Sequence, residues 1–396
     1  MTTTTDFAGS ITVEDLERDP FPIYARLRDE SPVCHVPAVG LTLVTRWEDV
    51  QHVATHPELF TADVASSPLT RTLGQNMLTL DGQAQRRIRA TIDPSQRPRA
   101  VDAYAPQIIR PVAERHLAAL AGRGSAELMA EYCEPVSVLS LGAVLGLGDV
   151  DADTLRRWFG NLALGGANFE GDPAKQAQAD AVSTEIEEAV SPLLDRLGQE
   201  PTDGVLSHML HTEPPTGGRL SRAEVMANLK LILLGGMQEP GHGLGIALWA
   251  LLSHPDALME VRQDPALLRG AVEEALRWHS PVGTQTRQVT QRTEIAGITL
   301  EEGDVIAAVL ASANQDDRHW DDPGRFDIHR KGAHAAFGLG AHHCAGAPLA
   351  RHEVRLPLEL LLERLPGLRL DPERPVELSG WEFRAPLHLH VLWDPA

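Results

Sequence analysis

The residues with the clearest chemical potential lie in one short stretch, Phe337–Arg351. Two glycines precede a single cysteine, Cys344, and a third glycine follows it before a run of residues typical of a helix. This order predicts a tight turn that presents the cysteine at a helix N-terminus, where backbone N–H groups and the helix dipole stabilise a thiolate. Such a thiolate is a good iron ligand. The alternative is a buried, inert cysteine, the more common environment of a free thiol.

The residues around the cysteine favour the first interpretation. The pattern Phe-Gly-x-Gly-x-His-x-Cys-x-Gly-x-x-Leu-Ala-Arg closely resembles the haem-binding signature of the cytochrome P450 superfamily, and every defining position is filled. The resemblance implies that Cys344 is the axial thiolate ligand of a haem b iron. It implies that His342 hydrogen-bonds a haem propionate and that Phe337 and Gly338 form part of the haem-binding turn. The implied fold is mainly α with a smaller β-rich lobe (α+β) and a long distal helix above a buried haem.

A basic segment, Asp81–Arg89, opens another predicted helix. Gln85 and Arg89 are four residues apart and so share one face. Taken alone, this pattern is typical of a solvated basic helix face. The resemblance instead assigns Arg89 and Gln85 to a haem propionate, because a guanidinium group suits a carboxylate. It assigns Arg287 to the other propionate.

The pair Glu274 and Arg277 has the i, i+3 spacing of neighbours on a helix. Such a pair is usually a surface salt bridge worth under about 1 kcal/mol. The pair also matches the Glu-x-x-Arg signature of the superfamily. By that resemblance we expect a buried structural lock behind the haem, with Arg325 as its third member.

A helical pattern runs from Ser221 to Ser253, and its middle contains glycines and Pro240. These residues destabilise or kink a helix, so the pattern is also compatible with two consecutive helices. In the superfamily this segment crosses above the iron, and most members place an acid and then a threonine where Gln238 and Glu239 stand. We predict that Glu239 acts as a general acid–base that takes a proton from hydrogen peroxide and returns it as the O–O bond breaks. Hydrogen peroxide and dioxygen with electrons are both expected oxidants.

Three segments match more narrowly: Ala130–Val138, Leu233–Gly243 and Gly380–Arg384. They resemble bacterial O-demethylases that act on guaiacol-type lignin phenols, and the similarity extends over residues 19–393. The implied reaction removes hydrogen from an aryl methoxy group and releases formaldehyde, which leaves a catechol-type product.

The substrate pocket follows from the same resemblance. A cage of three phenylalanines in the guaiacol enzymes corresponds to Leu73, Gly166 and Phe383, so we expect room for a larger dimethoxyphenol of the syringol type. Gln285 is a predicted hydrogen-bond partner of the substrate. The predicted apolar walls are Leu231, Leu234, Gly235 and Val282.

Composition limits the remaining possibilities. The 396 residues carry a formal net charge of −20, which argues against nucleic acid as a partner. We expect one domain, with a β-rich portion over residues 1–80 and a helical haem-binding core over 81–396. The three cysteines have neither disulfide-framework nor zinc-site spacing, and neither a signal peptide nor a membrane span is apparent, so the expected location is the cytoplasm.

The possible mechanisms differ in whether a separate protein supplies electrons. No fused flavin or iron–sulfur segment is recognisable, so a ferredoxin or flavin reductase would be a separate protein. Five arginines lie around the expected proximal face, either to dock an acidic donor or simply for solvation and haem contacts: Arg86, Arg87, Arg97, Arg99 and Arg351. The alternatives are a dioxygen-dependent monooxygenase of another small hydrophobic substrate, a haem sensor or carrier, and a helical protein without cofactor.

Apolar periodicity predicts the elements that position these residues. Helices are expected over 19–28, 47–56, 101–130, 133–147, 154–164 and 177–197, and strands over 42–45, 293–299 and 305–311. The segments 60–80 and 165–173 are predicted loops. By resemblance, the second of these loops is a flexible lid over the substrate channel, and Gly380–Arg384 forms a hairpin-like turn.

Overall fold

Helices make up most of the chain in the computed structural model, which describes residues 4–65, 67–168 and 171–394. The expected mainly α fold with a smaller β-rich part is confirmed. The helices are α1 (Thr4–Ser10), α2 (Val13–Arg18), α3 (Phe21–Glu30), α4 (Trp47–Thr55), α5 (Pro68–Leu73), α6 (Gly82–Gln96), α7 (Pro98–Leu120), α8 (Glu134–Val144), α9 (Ala152–Gly166), α10 (Pro173–Gln199), α11 (Val205–His211), α12 (Arg222–Gly236), α13 (Glu239–Ser253), α14 (Pro255–Gln263), α15 (Leu268–Trp278), α16 (Leu310–Ala313) and α17 (Ala347–Arg364). Among the described helices, none combines the length and apolar character that crossing a membrane requires.

The strands are short and come from distant parts of the chain. They are β1 (Val33–Val36), β2 (Leu41–Val44), β3 (Phe60–Thr61), β4 (Ser125–Glu127), β5 (Thr284–Val289), β6 (Thr293–Ile295), β7 (Ile298–Leu300), β8 (Val305–Val309), β9 (Arg369–Leu370), β10 (Leu378–Ser379), β11 (Ala385–Pro386) and β12 (His390–Leu392). The largest sheet has the order β1-β2-β8-β5-β3, in which β2 and β8 are parallel. Strands from both sides of residue 80 therefore share one sheet, and the division into portions at residue 80 stays a prediction.

Helix α13 lies in the core and packs closely against the chain before α8. A Cβ atom built on Gly241 would lie 3.0 Å from the carbonyl oxygen of Cys133. The same construction on Gly243 would lie 3.0 Å from a methyl group of Leu276 on α15. Glycines in this helix therefore permit close helix packing, which offsets their low helix propensity.

The distal segment is two helices with an interruption at Met237 and Gln238. Pro240 lies in the first turn of α13, where a missing N–H group costs little. The hydroxyl of Ser137 donates a hydrogen bond of 2.8 Å to the carbonyl of Met237. Because a side chain from α8 satisfies this carbonyl, the interruption is held in a defined conformation.

Two predicted loops contain more structure than expected. The segment 60–80 contains β3 and α5, and α5 begins with Ser67, whose hydroxyl accepts a hydrogen bond from the Thr70 N–H. The Ser-Pro pair that starts this helix was the missed signal. Helix α9 extends through Gly166, so the second connection begins at Ala167. The predicted lid includes residues 169 and 170, which lie outside the described residues.

Candidate active site

The cysteine stretch forms a turn that only glycine accommodates at key positions. Gly338 and Gly340 have φ values of +71° and +66°, in the left-handed region. A Cβ atom on Gly340 would overlap the carbonyl oxygen of Ala54. The N–H group of Cys344 donates a hydrogen bond of 2.8 Å to the carbonyl of Phe337 and closes the turn. Cys344 thus lies three residues before α17, as the spacing predicts.

Cys344 combines a desolvated thiol with an exposed residue surface. Burial raises its pKa, while the Gly346 N–H group and the charges of Arg89 and Arg351 act in the opposite direction. The residue as a whole is nevertheless exposed. This exposure distinguishes it from the packed, inert cysteine of the alternative interpretation.

A buried polar cluster lies beside the turn. The Nε2 atom of His342 is 2.7 Å from Oδ1 of Asp81, and Oδ2 of the same carboxylate accepts hydrogen bonds from the Thr61 hydroxyl and the Ala62 N–H group. Although burial alone would raise the pKa of Asp81, these hydrogen bonds lower it to about 2. No sequence motif pointed to Asp81 as a site residue. Because Asp81 contacts Nε2 of His342, only the Nδ1 atom of His342 would be free for the predicted contact with a propionate.

The guanidinium of Arg287 is buried within range of the Asp81 charge. Burial lowers the pKa of Arg287, and the negative charge of Asp81 opposes this effect. The Nη1 atom donates 2.7 Å to the carbonyl of Thr286, whereas Nη2 is buried without a hydrogen-bond partner. A buried donor without a partner is costly. A carboxylate of a bound group would satisfy it.

Gln85 and Arg89 both tie α6 to the cysteine turn. The Nε2 atom of Gln85 donates 2.8 Å to the carbonyl of Ala341. Arg89 donates 2.7 Å from Nη1 to the carbonyl of His343 and 2.7 Å from Nε to Asp93. These contacts position the turn, and direct propionate contacts of the two residues stay predictions.

The donor set fits a haem. It combines an exposed cysteine for the iron, a buried guanidinium donor for a propionate, and a turn with positive-φ glycines that presents the cysteine. Phe337 flanks the turn, and Arg351 packs 4.4 Å above its ring while it donates 2.6 Å to Glu273. The guanidinium of Arg351, one of the five arginines predicted to dock an electron donor, is therefore already paired with Glu273. Another, Arg87, is held by Glu224 on α12 at 2.5 Å.

Glu239 occupies the first position of α13. Burial raises the pKa of its carboxyl group to about 7, although the N–H groups of Glu239 and Gln238 oppose this shift. Its Oε2 atom is buried without a hydrogen-bond partner. The carboxyl is close enough to Cys344 for its charge to raise the pKa of the thiol. One turn earlier, a Cβ atom on Gly235 would meet no atom within 4 Å, which indicates open space beside the helix.

The structure brings together part of the predicted pocket. A Cβ atom on Gly166 would lie 3.2 Å from Leu69 and 3.8 Å from Leu234. Leu69 was missed because it belongs to α5, within the predicted loop. Leu73 is buried in the hydrophobic cluster that also contains Leu231.

The opposite side of the predicted pocket is less enclosed. Phe383 forms a backbone bridge with Val282, and the residue is 55% exposed. The Oε1 atom of Gln285 is buried without a partner, and the amide lies against Gly338 of the cysteine turn. Gln285 is therefore next to the haem-binding turn, and its substrate contact stays a prediction.

The buried lock has a different third member from the predicted one. Arg277 donates 2.7 Å and 2.8 Å to the two carboxylate oxygens of Glu274, and both side chains are almost fully buried. Arg330 donates 3.0 Å to the same carboxylate. Arg325 is exposed, and only its carbonyl accepts hydrogen bonds from Arg277 and Arg330. The prediction for Arg325 is wrong, because Arg325 contributes its backbone carbonyl to the lock while its side chain stays outside it.

A mainly helical fold that presents a cysteine turn opposite an interrupted distal helix defines a haem-thiolate protein. The chain belongs to the cytochrome P450 family, whose sequence model, described as Cytochrome P450, matches residues 172–377. Membership implies a cysteine-ligated haem b and monooxygenase chemistry.

Several known proteins are similar over nearly the whole chain. Cytochrome P450 107B1 of Saccharopolyspora erythraea is 34% identical, over 91% of this chain and 90% of the relative. Cytochrome P450 monooxygenase PikC of Streptomyces venezuelae is 34% identical, over 90% and 86%. The solved structure of cytochrome P450 CYP109Q5 from Chondromyces apiculatus superposes with a TM-score of 0.86 at 28% identity, covering 98% of each chain.

Proposed function

We propose that this haem-thiolate enzyme O-demethylates a small methoxylated phenol of the syringol or guaiacol type and that it accepts hydrogen peroxide. The haem supplies the oxidising chemistry when bound. One aryl methyl ether and one hydrogen peroxide give one phenol, one formaldehyde and one water, so no external electrons are needed. The observation that carries the use of peroxide is the buried, unpaired carboxyl of Glu239 on the distal helix, and the methoxyphenol substrate follows from the resemblance of the pocket positions.

Glu239 has the properties of a proton-transfer group. Its Oε2 atom has no hydrogen-bond partner in the described structure, and its pKa of about 7 allows both protonation states near neutral pH. A group of this pKa is effective at both accepting and returning a proton. The carboxyl would take a proton from one oxygen of hydrogen peroxide and deliver it to the other, which would leave as water.

The pocket wall supports a compact, substituted ring as the substrate. Gly166 lies close to Leu69 and Leu234, because a Cβ atom there would be 3.2 Å from Leu69 and 3.8 Å from Leu234. This wall is therefore apolar, and glycine is the residue that narrows the pocket least at this position. The guaiacol enzymes that the chain resembles carry a phenylalanine here, so the exchange favours syringol, with its second methoxy group, over guaiacol.

A second candidate function is dioxygen-dependent oxidation of another hydrophobic substrate. Family members use dioxygen with redox partners such as ferredoxins, and the similar PikC protein is named a monooxygenase. In this case an NAD(P)H-linked reductase and a ferredoxin would supply electrons. The two candidates differ in whether peroxide alone supports product formation.

The decisive experiment measures formaldehyde from syringol with hydrogen peroxide as the sole oxidant. We expect wild-type turnover, and a decrease of about 100-fold or more in Glu239→Thr, because general acid–base catalysis contributes about that much. The matched control is Glu294→Thr, at an exposed position of β6. The same substrate with NADH, ferredoxin and reductase forms the second arm.

Each result has a distinct meaning. Unchanged peroxide-driven turnover in Glu239→Thr would remove Glu239 from the mechanism. Formaldehyde only in the NADH arm would favour dioxygen as the oxidant. Absence of formaldehyde in both arms, despite a full complement of haem, would contradict O-demethylation of syringol.

A further inference from the structure

A surface cleft of about 1170 Å³ lies between the N-terminal helices α2 and α3, the end of α15 and the hairpin of β10 and β11. Its apolar lining includes Phe21, Pro22, Leu378 and Leu387, and Leu387 is 55% exposed. A concave site of this size can hold a small organic molecule. The function proposed above does not use this cleft.

The accessible charge of the cleft is negative. Among the residues that the structure describes, the carboxylates of Glu14, Glu17 and Glu377 line the cleft and take part in no ion pair or hydrogen bond. Of the basic residues in the lining, Arg18 is paired within its own helix and Arg28 is buried. A cation would offset the repulsion among the carboxylates, whereas an anion would add to it.

Two buried nitrogen atoms without partners belong to residues that line the same cleft. Arg384 is only 6% exposed, and its guanidinium donates to the carbonyls of Glu17, Arg18 and Gly380, but its Nε atom has no partner. The Nδ1 atom of His279 is likewise buried without a partner. Burial and the charge of Arg384 lower the pKa of His279 to about 3, so this imidazole is neutral and can accept a hydrogen bond. Because unpaired buried polar atoms are costly, an oxygen acceptor at Arg384 and an N–H donor at His279 would stabilise the site.

The hairpin that carries Arg384 also connects the cleft with the predicted substrate pocket. The N–H group of Arg384 donates 2.9 Å to the carbonyl of Pro281. The preceding residue, Phe383, forms its backbone bridge with Val282, and both belong to the predicted pocket. A ligand that moves Arg384 would therefore move Phe383 relative to that pocket.

We propose that this cleft is an effector site for an organic amine that has an aromatic body and an oxygen acceptor. Its ammonium group would be held by the carboxylates, its body would cover the apolar lining, and its oxygen would accept a hydrogen bond from Arg384. Binding would alter the haem pocket through the hairpin. The inference does not depend on the substrate or the oxidant of the proposed function.

Tyramine is a suitable probe, because it combines an ammonium group, an aromatic ring and a phenolic oxygen. Tyrosol is its neutral counterpart, with a hydroxyl in place of the amine. The ferric holoprotein is first saturated with 4-phenylimidazole, which ligates the iron and fills the haem pocket, so that calorimetry reports binding outside that pocket. We expect tyramine to bind about tenfold more tightly than tyrosol, because several carboxylates each contribute a few-fold in affinity.

Two variants with matched controls locate the site. Glu377→Gln is expected to weaken tyramine binding about threefold, and Leu387→Ala about fivefold, because each removes one group that would contact the ligand. Glu373→Gln and His388→Ala are the controls, since both residues are exposed nearby and neither lines the cleft. Tyrosol binding should be unaffected by Glu377→Gln.

The effector role has its own measurement. The rate at which 4-phenylimidazole leaves the iron, followed from the Soret band after a chase with excess cyanide, is expected to change at least twofold at saturating tyramine. Competition of tyramine for free iron does not affect a dissociation rate. The same concentration of tyramine should change the rate less in Leu387→Ala.

The affinities and the rate decide the proposal. No binding of tyramine at millimolar concentration, or equal affinities for tyramine and tyrosol, would overturn it. Losses in Glu373→Gln and His388→Ala equal to those in Glu377→Gln and Leu387→Ala would also overturn it, because binding would then lie elsewhere. An unchanged dissociation rate would overturn the effector role. None of these measurements involves peroxide or formaldehyde, so failure here is distinguishable from failure of the proposed function.

Discussion

The N–H group of Cys344 and the carbonyl of Phe337 are joined by a hydrogen bond of 2.8 Å that closes the cysteine turn. The turn reaches this geometry through Gly340, whose φ of +66° and contact with Ala54 leave no space for a side chain. The presentation of the thiol therefore depends on a residue four positions away.

Gly340→Ala is expected to reduce haem incorporation strongly. The left-handed backbone alone costs a residue with a Cβ atom about 1–2 kcal/mol, and the overlap with Ala54 adds to this. The Soret absorbance per mole of purified protein measures the effect. Gly160→Ala is the control, because Gly160 lies within helix α9 and a Cβ atom there would meet nothing within 4 Å. Equal haem content in the two variants would contradict the role given to Gly340.

The buried lock predicts a graded series of stabilities. Arg277→Ala leaves the Glu274 carboxylate buried without its main partner, so we expect a loss of about 3–5 kcal/mol in the free energy of unfolding. Arg330→Ala removes one hydrogen bond to the same carboxylate, and its cost is expected to be about 1–3 kcal/mol. Arg325→Ala keeps the carbonyl that the lock uses, so its effect should be within about 0.5 kcal/mol. Urea unfolding of the holoproteins measures all three. A larger loss for Arg325→Ala than for Arg330→Ala would restore the sequence prediction.

Gly166→Phe is expected to weaken syringol binding about tenfold or more, because a Cβ atom there already lies 3.2 Å from Leu69 and 3.8 Å from Leu234, so the added ring would displace these side chains and narrow the predicted pocket. Guaiacol, which lacks the second methoxy group, should lose less affinity. Titration of the Soret shift gives both dissociation constants. Gly160→Phe serves as the control, since a Cβ atom there meets nothing within 4 Å. An equal loss for both phenols would argue against this wall as the determinant of ring size.

The raised pKa of Glu239 predicts a pH dependence of stability. The folded protein holds the proton of this carboxyl up to pH about 7, whereas the ordinary value is 4.5. This contribution is therefore fully present below pH 4.5 and is lost as the pH rises towards 7, by about 3 kcal/mol in total. Glu239→Gln cannot titrate, so its unfolding free energy should fall less between pH 5 and pH 7.5 than that of the wild type. Parallel pH profiles for the two proteins would show that the carboxyl has an ordinary pKa.

Local patterns in the sequence were sufficient for the parts of the site that lie within one turn or one helix. The glycines around Cys344, the Glu274–Arg277 spacing and the broken segment at Pro240 each specify backbone geometry within a few residues. Long-range contacts were less accessible. Asp81 meets His342 across 261 residues of chain, and Leu69 meets Gly166 only because α5 folds over α9. Arg330 replaced Arg325 because both lie on one irregular segment, where no periodicity indicates which side chain points inward.

The interruption between α12 and α13 has a consequence for substitution. Ser137 secures the backbone before it and Gly241 packs against Cys133 after it, and neither contact involves the side chains of Gln238 and Glu239. Residues 238 and 239 can therefore be substituted without loss of the backbone contacts that hold the interruption. On the proposed function, changes at these two positions alone would alter how the oxidant is activated, while the contacts of Ser137 and Gly241 would be kept.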